Sequence, residues 1–239
     1  MIRLWAILVT GMVLPGQAKA PTEGLVGHWK LDEGEGDKVS DSSGKGNPGK
    51  REGGARGSTE VPKGFANSGS TSFDGKDARV NAGDAATLAM KAAFTLTAWV
   101  RPTANSDSGG IIVNREGEYE IGRSAEGKLQ FALASDTPGW DWVDTSFELP
   151  LNAWTHVAWT YSAADKKIAV YANGKEVFTE KGEGEIGDTY PDQNQLWIGG
   201  RAKEGGAEYF AGQIAELRLY NRALKPEEVR AVRDASLKK

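Results

Sequence analysis

The fold is decided by residues 154–178, WTHVAWTYSAADKKIAVYANGKEVF. In the first half, apolar side chains alternate with polar or small ones, so that Val157, Trp159 and Tyr161 face one side of a strand. A second alternating run follows, and Asn173-Gly174 separates it from a third. Because Asn-Gly tolerates positive φ at both central positions, this pair predicts a type I′ hairpin turn. The stretch therefore predicts three consecutive antiparallel strands.

The same alternation recurs in residues 94–101, FTLTAWVR, where one face would carry Phe94, Leu96, Ala98 and Val100. Gly- and Pro-containing turns separate further strand candidates: 25–31, 71–73, 78–81, 110–115, 118–123, 128–134, 140–146, 196–201 and 209–220. About a dozen short strands of this kind predict an all-β protein, an antiparallel two-sheet sandwich. The Gly- and Ser-rich residues 42–70 predict a long surface loop.

One short helix is expected near the C-terminus, at residues 226–235. Pro226 suits the first helical position, and the acidic residues after it complement the positive end of the helix dipole. Leu224 could pack onto Val229 as a hydrophobic staple. Lys225 stands where Ser or Asp is the usual cap, so we expect the first turn to fray.

The N-terminus has the pattern of a secretory signal peptide. Arg3 precedes an apolar run, and Ala18-Lys19-Ala20 ends it as a small-residue cleavage site, so residues 1–20 would be removed. The alternative is an uncleaved anchor, but the run is short for a transmembrane helix. We therefore expect residues 21–239 to form one domain without a transmembrane anchor, located in the periplasm, at the cell surface or in the medium.

Composition excludes several classes of function. The chain carries 33 Asp and Glu against 29 Lys and Arg, a balance that disfavours binding to nucleic acid, which needs a basic face. It has no cysteine, so a disulfide framework and a cysteine-based zinc site are both excluded. Core burial, helped by a bound metal if there is one, has to stabilise the fold.

Five blocks together resemble bacterial laminin G-like domains of the concanavalin A-like lectin/glucanase superfamily. They stand in the family's order: GLVGHWKLDEGEGDKVSDSSGKGNPG, AFTLTAWVRP, WTHVAWTYSAADKKIAVYANGKEV, LWIGGR and FAGQIAELRLYNRALKPEEV. This resemblance implies a jelly-roll sandwich over nearly the whole mature chain. It says less about function, because the superfamily includes lectins, adhesive modules, glucanases and lyases.

The residues closest to a glucanase motif are Glu116, Glu118 and Glu120. Their spacing would align three carboxylates on one face of a regular strand. The middle residue is Glu where the family motif has Asp, and Gly117 indicates a turn, so we interpret the stretch as a hairpin tip followed by a solvent-facing strand. His28 and His156 lie inside strand blocks, where structural roles are expected. We therefore predict that the protein is not an enzyme.

The resemblance implies a structural calcium site. Asp41 and Asn47 stand in an oxygen-rich loop that suits a hard cation, and they are the candidate ligands. In similar domains the other half of the calcium site is an Asp near the C-terminus, and Ala215 occupies that position here. The alternative is an Asx-type turn without metal.

The candidate ligand surface centres on Trp140 and Trp142, which share one face of a predicted strand and are named here the tryptophan platform. Aromatic rings can stack on sugar rings, and Asp144 can accept hydrogen bonds from sugar hydroxyls. Tyr190, in the loop 182–194, is a further exposed aromatic candidate. The alternative is that each tryptophan fills the core.

These observations predict a carbohydrate-binding or adhesive jelly roll that acts outside the cytoplasm. Two alternatives stay open. One is a protein-interaction module of a secreted assembly. The other is a polysaccharide hydrolase or lyase that uses Glu116, Glu118 and Glu120.

Overall fold

The computed structural model describes residues 19–202 and 208–238. Its elements follow one another in this order: β1 (Leu25–Trp29), β2 (Lys38–Val39), β3 (Gly49–Glu52), β4 (Arg56–Ser58), β5 (Ser70–Asp74), β6 (Arg79–Asn81), a 3₁₀ helix (Ala86–Leu88), β7 (Ala93–Pro102), β8 (Gly110–Arg115), β9 (Tyr119–Arg123), β10 (Lys128–Leu133), β11 (Gly139–Glu148), β12 (Thr155–Ser162), β13 (Lys167–Ala172), β14 (Lys175–Lys181), β15 (Leu196–Ile198), β16 (Ala211–Tyr220) and α1 (Pro226–Ala235).

The strands form two antiparallel sheets, as the alternation predicts. The first sheet has the order β14-β13-β12-β7-β16-β5-β4, and β1 also pairs with β16. The second sheet has the order β11-β10-β9-β8-β15-β6-β3-β2. The hairpin between β13 and β14 turns at Asn173 and Gly174, with φ of 51° and 76°. Both values are positive, which confirms the predicted type I′ geometry.

The main core lies between the two sheets and is built by the alternating apolar positions. Val157, Trp159 and Tyr161 of β12 are fully buried there, together with the inward-facing side chains of β7. Trp159 meets Phe94 edge to face, with ring centroids 4.6 Å apart, a favoured arrangement for aromatic pairs. The two-sheet sandwich with one short C-terminal helix is therefore confirmed.

The outer face of the first sheet is covered as well, which explains why every residue of β12 is buried. Helix α1 packs Val229 and Val232 onto this face, beside Ala158 and Tyr220. Trp99 lies in a third cluster with Phe65 and Ala215. Both faces of the central strands are thus dry, as in a sheet packed between two layers.

The start of α1 is better anchored than the sequence indicates. Glu228, in the first turn, accepts a hydrogen bond from the backbone nitrogen of Lys225 at 2.9 Å. The same carboxylate binds the guanidinium of Arg222 through both oxygens, at 2.7 and 2.9 Å. The expectation of a frayed first turn is therefore wrong, because the capping group lies three residues inside the helix rather than at the cap position.

The predicted loop 42–70 is only partly a loop. It contains β3 and β4, which pair with β6 and β5 respectively. These strands are short and lack apolar alternation, so their sequence does not indicate them. Arg51 of β3 is buried, and its guanidinium donates to the carbonyl oxygens of Glu33 and Gly36 and to the hydroxyl of Thr71.

The predicted signal peptide, residues 1–20, lies almost wholly outside the described residues. Across residues 19–202 and 208–238, no helix has the length and apolar character needed to cross a membrane.

Candidate functional site

Trp140 and Trp142 lie on β11, which pairs only with β10 and so forms one edge of the second sheet. The register between these strands shifts, so that Trp140, Asp141 and Trp142 together stand opposite Ala132 alone. Such a bulge re-aims side chains relative to the regular pleat. Both tryptophans are half-buried, and neither belongs to a core cluster within the described residues. The two side chains therefore lie at the margin of the core clusters rather than inside them.

Asp144 stands two residues beyond the platform on the same strand. Its carboxylate binds Lys128 Nζ at 3.0 Å and accepts a hydrogen bond from the backbone nitrogen of Ser146 at 2.6 Å. Burial raises the pKa of Asp144, but the hydrogen bonds from Lys128 and Ser146 together with the charge of Lys128 outweigh this and lower it. Asp144 is therefore ionised at neutral pH. Its other neighbour across the strand pair is Gln130.

Tyr190 is exposed at 44 %, as expected for a loop aromatic. Its loop runs along one end of the second sheet. At one end of the loop, Glu183 pairs with Thr137. At the other end, the backbone nitrogen of Thr189 donates a hydrogen bond to the carbonyl oxygen of Gly117. The structure places Tyr190 against Gly117, in the turn between β8 and β9. Tyr190 therefore lies against the turn between β8 and β9, and in this sheet β10 stands between β9 and β11.

Glu116, Glu118 and Glu120 are only 9 %, 2 % and 3 % exposed, so the predicted solvent-facing strand is wrong. Residues 116–118 form the tight turn before β9, and Gly117 adopts a φ of 74°. This turn breaks the regular alternation. It directs Glu118 to Arg115 Nε at 2.6 Å.

The other two carboxylates converge on Asn114, whose Nδ2 donates to Glu116 at 3.3 Å and to Glu120 at 2.7 Å. Arg201 closes the group: its Nη2 lies 2.8 Å from Glu120 and 2.9 Å from Glu208. We call these five residues the Glu120 cluster. They form on the outer side of the second sheet, where Glu120 and Asn114 face each other across β9 and β8.

Burial dominates the electrostatics of this cluster. It raises the pKa of Glu120 to about 7, although the charge of Arg201 opposes the shift. Burial also raises the pKa of Glu118. Two polar atoms, Asn114 Oδ1 and Arg201 Nε, are buried without a hydrogen-bond partner among the described residues. Such atoms are uncommon in folded proteins, where most buried polar groups are paired.

Sequence reasoning did not predict the roles of Asn114 and Arg201. Arg201 lies 81 residues beyond Glu120, so no local spacing connects them. Trp197 is buried but lies outside the core clusters, beneath the guanidinium of Arg79 at 4.7 Å. Arg79 also donates to the hydroxyl of Tyr209.

The loop that contains Asp41 and Asn47 uses its own oxygen atoms. The carboxylate of Asp41 accepts hydrogen bonds from the backbone nitrogens of His28, Ser43 and Asn47 and from the Ser43 hydroxyl. Burial raises the pKa of Asp41, but these hydrogen bonds outweigh it and lower the value. The side chain of Asn47 is bonded to Val26 and Thr87.

This donor set does not fit calcium as it stands, because both oxygens of Asp41 already accept two hydrogen bonds each. The part of the chain that the structure describes also contains no group of three or more His, Cys, Asp or Glu side chains placed to hold a metal ion. Ala215 contributes no ligand and packs with Trp99. Calcium binding by this loop remains a prediction.

Both histidines have the structural contacts expected of them. His28 Nε2 lies 2.9 Å from a carboxylate oxygen of Glu216, which also binds Arg218 at 2.6 Å. His156 is 1 % exposed and meets Trp99 edge to face. Burial lowers the pKa of His156 to about 3, and the charges of two arginines act in the same direction. This imidazole is therefore neutral at physiological pH.

Several solved structures share the fold. Domain 4 of AbnA, an extracellular arabinanase from Geobacillus stearothermophilus solved in complex with arabinotriose, is 21 % identical, with a TM-score of 0.65 over 87 % of this chain and 97 % of that domain. The binding domain of Paraclostridial Mosquitocidal Protein 1 is 16 % identical, with a TM-score of 0.69 over 89 % of this chain and 52 % of its own.

The binding domain of Botulinum Neurotoxin DC, solved in complex with SialylT, is 14 % identical, with a TM-score of 0.63 over 90 % of this chain and 52 % of its own. The chain thus spans a whole domain of the arabinanase and about half of either toxin fragment. Identities this low support the fold alone. No curated protein sequence matches the chain.

Sequence profiles identify the family directly. The Laminin_G_3 profile matches residues 74–230, more than half of the chain and most of both sheets. The matched region begins at the end of β5 and reaches into α1, and includes the tryptophan platform and the Glu120 cluster. The chain belongs to the Laminin_G_3 family of the concanavalin A-like lectin/glucanases superfamily.

Proposed function

We propose that this protein is an exported carbohydrate-binding module whose ligand stacks on the tryptophan platform. One observation carries the proposal: two neighbouring tryptophans are only partly buried on an edge strand, outside every core cluster of the described residues. Val143 and Phe147 of the same strand pack against the core, so β11 has enough apolar side chains to anchor it without Trp140 and Trp142.

The chemistry of the platform suits sugars. The flat rings of Trp140 and Trp142 offer apolar surface to the C–H faces of a pyranose or furanose ring. The ionised carboxylate of Asp144, held in place by Lys128 and Ser146, can accept hydrogen bonds from ring hydroxyls. A platform with a few polar groups beside it is the usual composition of a small-molecule binding site. Related folds solved with arabinotriose and with SialylT support this class of ligand.

A glycan array probed with the wild type and with a Trp140→Ala, Trp142→Ala double variant tests the proposal. We expect the double variant to lose binding by at least about tenfold, which corresponds to the loss of about 1.4 kcal/mol of stacking. Leu151→Ala removes another exposed apolar side chain, beyond the opposite end of β11, and serves as the matched control. Melting curves show whether each variant is folded. Equal binding by wild type and double variant would exclude the platform as the ligand site.

Tyr190→Ala is a separate arm of the same experiment. Tyr190 lies against the turn between β8 and β9, and β10 stands between β9 and β11, so we propose it as a secondary contact reached only by longer glycans. Its removal should leave short oligosaccharides bound as in the wild type and weaken long ones. If no glycan binds, a protein partner in a secreted assembly becomes the better hypothesis.

A second candidate function, polysaccharide hydrolysis, is favoured by the convergence of Glu116 and Glu120 on Asn114. A protonated Glu120 beside a second carboxylate has the components of general acid–base catalysis of glycoside cleavage. Against this role, Arg201 contacts both carboxylates and they are shielded from solvent. Release of reducing sugar from a panel of polysaccharides, lost in Glu120→Gln, would support it, and no release by the wild type would exclude it for that panel.

A further inference from the structure

We infer that the tryptophan platform selects neutral glycans and rejects anionic ones, such as sialylated, sulfated or uronic-acid sugars. This inference rests on the proposed function and adds the class of ligand. It is drawn from the charges that surround the platform, all of which lie on β10, on β11 and in the turns next to them.

Carboxylates dominate this part of the surface. Asp141 lies between the two tryptophans and Asp144 two residues beyond them, and both are exposed. Asp136 is exposed in the turn before β11, and Glu148 at the end of the strand. Glu126 is exposed in the turn before β10, close enough to Asp144 for the two charges to affect each other. An anionic sugar stacked on the platform would approach several like charges at once.

Basic side chains on β10 and β11 do not offset these carboxylates. Lys128 is the basic residue of β10, and its amino group is bound to Asp144 at 3.0 Å. At the other end of β11, Glu183 pairs with Thr137 of the preceding turn and binds Lys166 and Lys181, each at 3.0 Å. Recognition of a sugar carboxylate or sulfate favours an Arg or Lys with free donors. Neither β10 nor β11 carries an Arg or Lys without a carboxylate partner.

An uncharged group is available instead. Gln130 of β10 stands opposite Asp144 on one side and opposite Gly122 of β9 on the other. It is half-buried, and its amide makes no hydrogen bond within residues 19–202 and 208–238. An amide can both donate to and accept from hydroxyl groups, which suits a neutral sugar.

Like charges near a bound anion weaken its binding, and salt screens the effect. The Debye length falls from about 30 Å at 0.01 M to about 3 Å at 1 M ionic strength. If these carboxylates cause the preference for neutral over anionic glycans, the difference in affinity should therefore become smaller as the salt concentration rises. Discrimination by shape alone would be insensitive to salt.

The test uses pairs of oligosaccharides that share one core and differ only in a sialic acid, sulfate or uronic acid group. Titration of the full chain with each pair should show at least about tenfold tighter binding of the neutral member at low salt, and a smaller difference at about 1 M salt. A Glu126→Lys, Glu148→Lys double variant should narrow the low-salt difference, since both side chains are exposed and lie outside the stacking site.

Glu35→Lys combined with Glu60→Lys is the matched control. It makes the same change in net charge at exposed positions near β2 and β4, the strands at the other edges of the two sheets. It should leave the selectivity of the wild type unchanged, and a melting curve checks that both double variants are folded.

Three outcomes would overturn the inference, and each has a different meaning. Equal or tighter binding of the anionic members, lost in the Trp140→Ala, Trp142→Ala variant, overturns the selectivity while the proposed function stands. Binding of neutral glycans that does not depend on the tryptophans overturns the proposed function and the inference together. A preference for neutral members that persists unchanged at high salt also overturns the inference, because it would not arise from charge.

Discussion

Glu120 and Arg201 meet at 2.8 Å on the outer side of the second sheet, although 81 residues separate them in the chain. Each is buried, so their pairing takes two charges out of water. The attraction between them does not fully offset this cost for Glu120, whose pKa is raised by burial to about 7. Buried ion pairs often behave in this way.

The raised pKa of Glu120 predicts a pH effect on stability. Below the ordinary value of 4.5 the carboxyl is protonated in the folded and unfolded chains alike. As the pH rises toward 7, the unfolded chain ionises first, so this group progressively destabilises the fold, by on the order of 3 kcal/mol once the pH is above 7. In urea-unfolding measurements, Glu120→Gln should therefore gain stability relative to the wild type as the pH rises from 4.5 to 7. A stability difference between variant and wild type that stays constant across this range would contradict the assignment.

His156 predicts the opposite slope. Its folded-state pKa is lowered from 6.5 to about 3, so its contribution to stability is complete above pH 6.5 and is lost as the pH falls through about 3. Since the two effects oppose each other between pH 4.5 and 6.5, the wild type should show a shallow profile there. In His156→Leu stability should fall as the pH rises across this window, and in Glu120→Gln it should rise. Identical slopes in the two variants would contradict both assignments.

Glu228 should contribute strongly to the stability of α1. It accepts hydrogen bonds from Arg222 and from the backbone nitrogen of Lys225, and the Arg222 hydrogen bond is the largest cause that lowers its pKa to about 2. Glu228→Ala should reduce the free energy of unfolding by about 1–2 kcal/mol at neutral pH. Glu227→Ala, an exposed position in the same helical turn, is the control and should change it by less than about 0.5 kcal/mol. Equal losses would show that Glu228 does not act as the cap.

Gly174 should be difficult to replace. It adopts a φ of 76°, and a Cβ atom added there would lie 3.0 Å from side-chain atoms of Arg230 and Arg233. We expect Gly174→Ala to cost about 1–2 kcal/mol, because an L-residue is strained in the left-handed region. Gly34→Ala is the control, since no heavy atom lies within 4 Å of its added Cβ. Thermal melting of both variants checks the difference.

Asp41 should stabilise its loop with or without calcium. Asp41→Asn leaves one of the two oxygens as a hydrogen-bond acceptor and should lower the melting temperature by the same amount in chelator and in millimolar calcium. The reason is that the hydrogen bonds of Asp41 are all internal to the protein. If calcium raises the melting temperature of the wild type but not of Asp41→Asn, the prediction of a calcium site in this loop would be supported.

The sequence by itself determined the strands with long alternating runs, the Asn173-Gly174 turn and the span of α1. These features depend on local physical chemistry: the two-residue period of a strand, tolerance of positive φ, and a proline at the first helical position. The same reasoning placed Trp140 and Trp142 together on β11. It could not decide whether they face the core, because a regular alternation does not reveal the bulge opposite Ala132.

Only the tertiary structure decided what surrounds Glu116 and Glu120. Local spacing predicted a solvent-facing strand, but the turn at Gly117 and the distant Arg201 bury these carboxylates in one cluster. Strands β3 and β4 likewise form through pairing with β6 and β5 and not through their own residues. The physical reason is common to both: burial and pairing depend on which distant segments meet, and a sequence pattern records only what is near along the chain.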